Sequence, residues 1–213
     1  MSKAGTPRAR RSRTPSVEVE RELLAAALVI LVRDGLGGLT VRAVAAEAGI
    51  APMGLYSRLG GKDGLVDALL MKGFDQLRAT IEADDEPDIS VRLSNCGLRY
   101  RDFALGNKHL HALMFQDAIT RGRESAEVAE HAIAAFGALV RTVELAAAAG
   151  VLAAPDTFEA ARHIWSAVHG AIALELRGFV PTPDPERTYR AIIQTIVRGL
   201  TPEPSCYHAE VGR

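Results

Sequence analysis

The stretch LTVRAVAAEAGIAPMGLYSRLGGKDGL, residues 39 to 65, limits the folds open to this chain more than any other. Asp34-Gly35 and Gly37-Gly38 close a helix before it, Gly49 interrupts it, and Gly60-Gly61 breaks it again. Thr40 stands where an N-cap belongs, and Val41, Val44, Ala45 and Ala48 follow i, i+3, i+4, i+7 over about two helical turns. Pro52 then suits a first helical turn, where its missing N–H costs nothing, and opens a short helix running to about Leu59. A longer helix from Val17, with Leu23, Ala26, Ala27, Ile30 and Leu31 on one face, supplies the apolar surface that holds the short pair. Two short helices joined by the turn Ala48-Gly49-Ile50-Ala51-Pro52 make a helix-turn-helix.

In that layout the second short helix enters the major groove of DNA with its N-terminal residues toward base edges. Leu55 and Leu59 are expected to face the core, leaving Met53, Gly54, Ser57 and Arg58 for the groove. Lys62 opens the next helix, where a cation opposes the macrodipole, so a phosphate partner accounts for it better than a structural role. Arg58 is either a guanine or phosphate contact or a solvated charge, and Tyr56 either reaches outward or packs its ring in the core. Arg42, on the first short helix, completes the candidate DNA-binding set.

Charge supports a polyanion at one end. The net charge is only −1, but residues 1 to 60 hold nine Lys and Arg against five acids, and the remainder carries −5. Residues 1 to 16, MSKAGTPRARRSRTPS, have five cations and little to bury, so they read as a disordered basic arm. Such an arm either solubilises the chain or touches DNA.

Beyond Gly61 the sequence predicts helices over about 62 to 83, 88 to 106, 109 to 116, 124 to 149, 157 to 178 and 184 to 200, giving an all-α fold of about nine helices. Asp84-Asp85-Glu86-Pro87-Asp88 marks the clearest boundary. The expected organisation is the arm 1–16, a DNA-binding domain 17–62, a connecting helix 63–83, a ligand-binding and dimerisation domain 88–200, and a tail 201–213. Cys96 and Cys206 are too few for a disulfide framework or a zinc site. No apolar run of membrane-spanning length and no signal-peptide core is read, so the expected location is the cytoplasm.

From about residue 20 to 70 the chain resembles the DNA-binding domain of the tetracycline-repressor (TetR) family of bacterial regulators. The resemblance rests on the Gly35 turn, Leu39-Thr40, Val44-Ala45, Ala48-Gly49-Ile50, Leu55-Tyr56, and Lys62 with Leu65. It implies that Thr40, Tyr56 and Lys62 hold phosphates. Ala51 stands for a common Ser, Met53-Gly54 for a frequent Gly-Thr, and Arg58-Leu59 for His-Phe; these changes lie mostly on the reading helix and leave the operator sequence open.

RYRDFALGNKHLHALMF (99–115) and HIWSAVHGAIALELRG (163–178) resemble the subgroup whose C-terminal domain carries a Trp followed by His-Gly, here Trp165, His169 and Gly170. Trp165 and His169 share a helix face with Phe158, Ala161 and Ile172. They form either a core tryptophan with a satisfied histidine or, with Phe103, Met114, Phe115 and Phe136, the wall of a drug-sized pocket for a small lipophilic effector. Tyr189, Ile192, Ile193, Ile196, Val197 and Leu200 make a sustained stripe on the last helix. Family precedent pairs the last two helices of each subunit, 157–178 and 184–200, in a homodimer suited to an operator with two-fold symmetry.

The expected function is therefore a ligand-responsive DNA-binding regulator, most simply a repressor, with no cofactor, no metal and no catalytic residues. His109 and His111 diverge on one helix, as do His163 and His169, which opposes a metal site. The rival readings are a helical enzyme using His109, His111 or His169 as acid or base, and a nonspecific DNA-binding protein.

Overall fold

The computed structural model describes residues 16–82, 86–115, 125–179 and 181–201. The expected arm lies outside the described residues except for Ser16, the expected tail except for Thr201, and the acidic boundary loses Asp84 and Asp85 in the same way. Among the described residues there are nine helices and no strand, the all-α fold that the periodicity predicts. They fall into two compact units, residues 1–69 and 70–213.

Unit 1 contains α1 (Ser16–Gly38), α2 (Val41–Glu47), α3 (Pro52–Leu59) and the first turns of α4 (Lys62–Ile81). Leu23, Ala27, Ile30 and Leu31 of α1 are buried as their spacing requires, and α1 packs on both α2 and α3. Leu39, Val44, Ala45, Leu55, Leu65 and Leu69 are fully buried with them. Each such leucine contributes about 1.5–3 kcal/mol through its removal from water. Leu59, expected in the core, is only half-buried.

The helix breaks have local causes. Gly35 has φ 67 and ψ −170, a conformation that kinks α1 at the predicted stop, with helical turns resuming to Gly38. The Thr40 side chain accepts from the Ala43 N–H at 3.2 Å and so caps α2. Pro52 occupies the first turn of α3, which no side chain caps. Arg33 of α1 pairs with Glu47 of α2 at 3.1 Å while also holding its neighbour Asp34 at 3.0 Å.

Unit 2 holds the rest of α4 together with α5 (Ile89–Gly106), α6 (Lys108–Phe115), α7 (Ala126–Ala148), α8 (Thr157–Arg177) and α9 (Pro185–Gly199). The caps of four of these helices are acidic or hydroxyl side chains: Asp88, Ser125, Asp156 and Asp184 each accept a first-turn N–H. Hydrogen bonds from Ser90, first its hydroxyl and then its N–H, hold the Asp88 carboxyl below its usual range.

α5 packs on α6, α7, α8 and α9, and α8 packs on α7 and α9, so the core lies around α5 and α8. Arg101 of α5 grips Glu175 of α8 through two bonds of 2.9 and 2.6 Å, and its guanidinium lies 5.9 Å from the ring centre of Tyr189 on α9. The Tyr189 hydroxyl donates to the Gly97 carbonyl of α5 at 2.8 Å, closing the set.

One expectation is corrected here. α7 is long and apolar enough to cross a membrane by length and hydropathy, against the expectation that no segment of the chain is. Its alanines raise the average without forming an unbroken apolar run, since Arg141 and Glu144 interrupt it. Its face with Ala135, Ala138, Leu139, Val143 and Ala146 is buried against α5 and α8, which accounts for its hydropathy as a core helix.

Candidate functional sites

The first site is the exposed side of unit 1. Met53 is 74% exposed and Tyr56 54%, and Ser57, Arg58, Lys62, Thr40 and Arg42 are exposed as well. Leu55 alone of α3 is buried, so this short helix presents most of its circumference to solvent. Arg33 and Arg21 are occupied by acids within the unit. Arg42 and Lys62, by contrast, have no acidic partner among the described residues. Two cations left without intramolecular neutralisation beside an exposed helix suit a polyanionic partner.

Three of the candidate residues carry structural constraints that the sequence reading did not assign. Gly54 is half-buried, and a Cβ there would meet the Ile50 side chain at 2.7 Å, so Gly54 lets α3 close on the turn. Ser57 donates its hydroxyl to the Gly54 carbonyl at 3.0 Å, leaving its oxygen as an acceptor. The Tyr56 ring lies against Gly61, where a Cβ would stand 3.1 Å from its Cε1. That contact orients an exposed ring next to Lys62 and leaves the hydroxyl end outside the core.

The second site is a cavity of about 180 Å³ inside unit 2. α4 contributes Phe74, Leu77 and Ile81; α5 contributes Leu93, Cys96, Gly97 and Tyr100; Phe115, Phe136, Trp165 and Ile193 bring in α6, α7, α8 and α9. No charged side chain lines it among the described residues. Aromatic rings make much of the wall: Phe115 lies 5.8 Å from Phe74 and 6.2 Å from Trp165, and Phe136 lies 6.1 Å from Trp165. Phe158 stacks edge-on to Phe136 at 5.3 Å and is 55% exposed.

Of the six residues named from sequence, Phe115, Phe136 and Trp165 line this cavity and Phe103, Met114 and His169 do not. Phe103 is buried in the helix packing, and Met114 lines a separate apolar recess with Leu70, Phe74 and Val128. Among the lining residues that sequence reasoning missed are Tyr100 and Cys96. Their signal was the stripe Leu93, Cys96, Tyr100 and Phe103 at i, i+3, i+7 and i+10 on α5.

Tyr100 ties the cavity to two histidines. Its hydroxyl stands 3.1 Å from His111 Nε2 and 2.5 Å from His169 Nδ1. Burial first, then the neighbouring His169, pushes the His111 imidazole down to about 4, and burial lowers His169 as well, so both rings are neutral at pH 7. Burial also raises the Tyr100 phenol and holds the Cys96 thiol up at about 12, which leaves both protonated. The Nδ1 of His111 is buried without a partner. An orphaned N–H costs more than a bare acceptor, so the proton belongs on His111 Nε2, which donates to Tyr100, and Tyr100 donates to His169 Nδ1. His169 then carries its own proton on Nε2. Among the described residues no group of three or more His, Cys, Asp or Glu gathers as a metal site would require, and His109 and His163 are exposed.

A third feature lies on the outer side of α8 and α9. The α9 stripe divides: Tyr189 and Ile193 are buried and Val197 lines the cavity, while Ile192, Ile196 and Leu200 form a shallow apolar groove with His163 and Ala167 of α8.

Comparison with known proteins covers both units. Residues 23–69 match the family described as bacterial regulatory proteins of the tetR family, and residues 93–196 match the tetracyclin repressor-like C-terminal domain. An uncharacterized HTH-type transcriptional regulator of Mycobacterium tuberculosis is 26% identical over 206 residues, covering 93% of this chain and 91% of that protein. A protein of unknown function from Rhodococcus sp. RHA1 superposes with a TM-score of 0.80 at 29% identity, covering 91% of this chain and 100% of that one. A TetR family transcriptional regulator from Thermus thermophilus shares the fold at a TM-score of 0.63 and 21% identity, over 84% of this chain and 99% of that one.

Proposed function

Because the chain belongs to the TetR family of DNA-binding transcriptional regulators, and is a regulator and not an enzyme, we propose that it is a homodimeric repressor released from its operator by a small lipophilic effector. Residues 17–62 read DNA, α4 connects, residues 88–200 bind effector and dimerise, and the protein works in the cytoplasm. Met53, Gly54, Ser57 and Arg58 meet bases, while Thr40, Arg42, Tyr56 and Lys62 hold phosphates.

The observation that carries the proposal is the composition of α4. One continuous helix begins with Lys62, a cation without an acidic partner among the described residues, and ends with Phe74, Leu77 and Ile81 on the wall of an apolar cavity. A ligand filling that cavity touches the helix that carries a proposed phosphate contact. It then weakens DNA binding to the extent that it prefers the arrangement not suited to DNA, typically 1 to 3 kcal/mol. The apolar groove of Ile192, Ile196 and Leu200 supports the dimer, since α9 keeps a second apolar side after Tyr189 and Ile193 are buried.

Selection of binding sites from a random duplex pool by the full chain tests this. Enrichment of an inverted repeat with half-sites about one helical turn apart is expected. Binding without sequence enrichment, with a steep salt dependence, identifies a nonspecific DNA binder instead.

A further inference from the structure

Taking unit 2 as the effector domain proposed above, we infer that its cavity is built for a neutral hydrocarbon of single-ring size, one without a hydroxyl or amino group. The inference rests on that reading of unit 2 and narrows the effector from lipophilic compounds in general to hydrocarbons.

Size and charge set the outline. An apolar protein cavity of roughly 150 Å³ stays dry and accepts benzene, and this one measures about 180 Å³, so a ring with small substituents fills it. No Lys, Arg, Asp or Glu lines the cavity among the described residues, and an ion taken from water into such a wall lacks the partner that makes its burial tolerable. The ligand is therefore uncharged when bound.

The few polar groups on the wall then decide against a polar ligand, because they are already matched within the protein. The Gly97 carbonyl accepts from the Tyr189 hydroxyl at 2.8 Å. The Tyr100 hydroxyl stands 2.5 Å from His169 Nδ1 and 3.1 Å from His111 Nε2, which commits its hydrogen and one of its two lone pairs. Neither histidine lines the cavity, so both bonds run into the protein. The Trp165 N–H bonds to the same hydroxyl and takes the other lone pair, partly offsetting the rise that burial gives the phenol. What remains is the Cys96 thiol, a weak donor. Among the described residues the one buried side-chain nitrogen or oxygen without a partner is His111 Nδ1, which is also off the cavity wall. A hydroxyl carried into this space gives up its bonds to water and meets no strong partner free to replace them. A methyl group in the same place gives up nothing.

The test compares para-ethyltoluene, para-ethylphenol and para-ethylaniline, three compounds of similar shape that are uncharged at neutral pH and differ in a methyl, hydroxyl or amino group. Binding to the full wild-type chain is followed by isothermal titration calorimetry and by emission of Trp165, the single tryptophan in the chain. Para-ethyltoluene is expected to bind about tenfold more tightly than either polar analogue, the scale of one polar group buried without a partner. In Ala135→Leu, which narrows the cavity, its binding is expected to be lost. Equal affinities in the wild-type chain, or a preference for the phenol or the aniline, overturn the hydrocarbon assignment and leave the effector cavity standing. Tight, selective binding of para-ethyltoluene that leaves affinity for the selected operator unchanged overturns the effector reading and leaves the hydrocarbon cavity standing. Failure of all three to bind or to change Trp165 emission overturns both. The wild-type series decides the matter even where the variant does not fold.

Discussion

Unit 1 keeps its candidate DNA-binding side chains in water, whereas unit 2 encloses its candidate ligand-binding ones. Met53, Tyr56 and Arg58 stand exposed on the short α3 and Lys62 at the start of α4, while Tyr100, Phe115 and Trp165 line a cavity among six helices. The difference follows from the partner each unit suits. A polyanion is met by charge and shape at a surface, and each contact is individually modest and weakened by salt. A small neutral molecule offers little area, so the protein surrounds it with rings and limits its polar choices. Substitutions in unit 1 are thus expected to separate stability from binding, and those around the cavity to mix them.

The largest expected effect breaks unit 1 outright. A Cβ on Gly64 would lie 1.7 Å from the Leu59 carbonyl oxygen, backbone that cannot move without pulling α3 away from α4. Gly64→Ala should cost on the order of 3 kcal/mol or more and abolish operator binding. Thermal unfolding beside a mobility-shift titration checks it, and a wild-type melting profile would show that the approach of the two helices relaxes.

Next in size is an acid effect from unit 2. His111 titrates near 6.5 in the unfolded chain and about 4 when folded. Between those values the unfolded chain binds a proton that the folded chain refuses. The contribution is therefore whole above about pH 6.5, declines as pH falls toward 4 and is constant below it, on the order of 3 kcal/mol in all. His111→Phe should flatten this part of the profile of melting temperature against pH. Identical slopes in both proteins would show that His111 does not contribute to the acid dependence.

The smallest effect sharpens the contrast. Lys62→Ala should leave the melting temperature unchanged and weaken operator binding by roughly 1 kcal/mol. It should also reduce the slope of log affinity against log salt by about 0.9, as expected for one lost phosphate contact. An unchanged salt slope would make Lys62 a bystander.

The boundaries of α2 and α3 were legible because Thr40, Gly49, Pro52 and Gly60 act within a turn of themselves. Burial of Leu23, Ile30, Leu65 and Leu69 followed from periodicity for the same reason. Gly54 read only as a groove residue and Gly64 carried no reading, since their role is the approach of another segment that no local pattern encodes. The cavity was half legible. Trp165, Phe115 and Phe136 were chosen by residue type, but whether Phe103 or Tyr100 faces inward depends on how α5 is rotated among its neighbours. The pairing of His111 with His169 through Tyr100 joins residues 11 and 69 positions away from that tyrosine, which spacing along one helix cannot reveal.

In the proposed mechanism, filling the cavity in unit 2 weakens DNA binding by the residues proposed to contact DNA in unit 1. Ala135 is buried on the cavity wall, and Ala135→Leu partly fills the space as a bound effector would. Operator affinity of this variant at fixed salt, measured beside its unfolding curve, is the most direct test. A folded Ala135→Leu protein with affinity reduced roughly 5- to 150-fold is the predicted result, matching about 1 to 3 kcal/mol of coupling. A folded variant that binds the operator as the wild type does would contradict it.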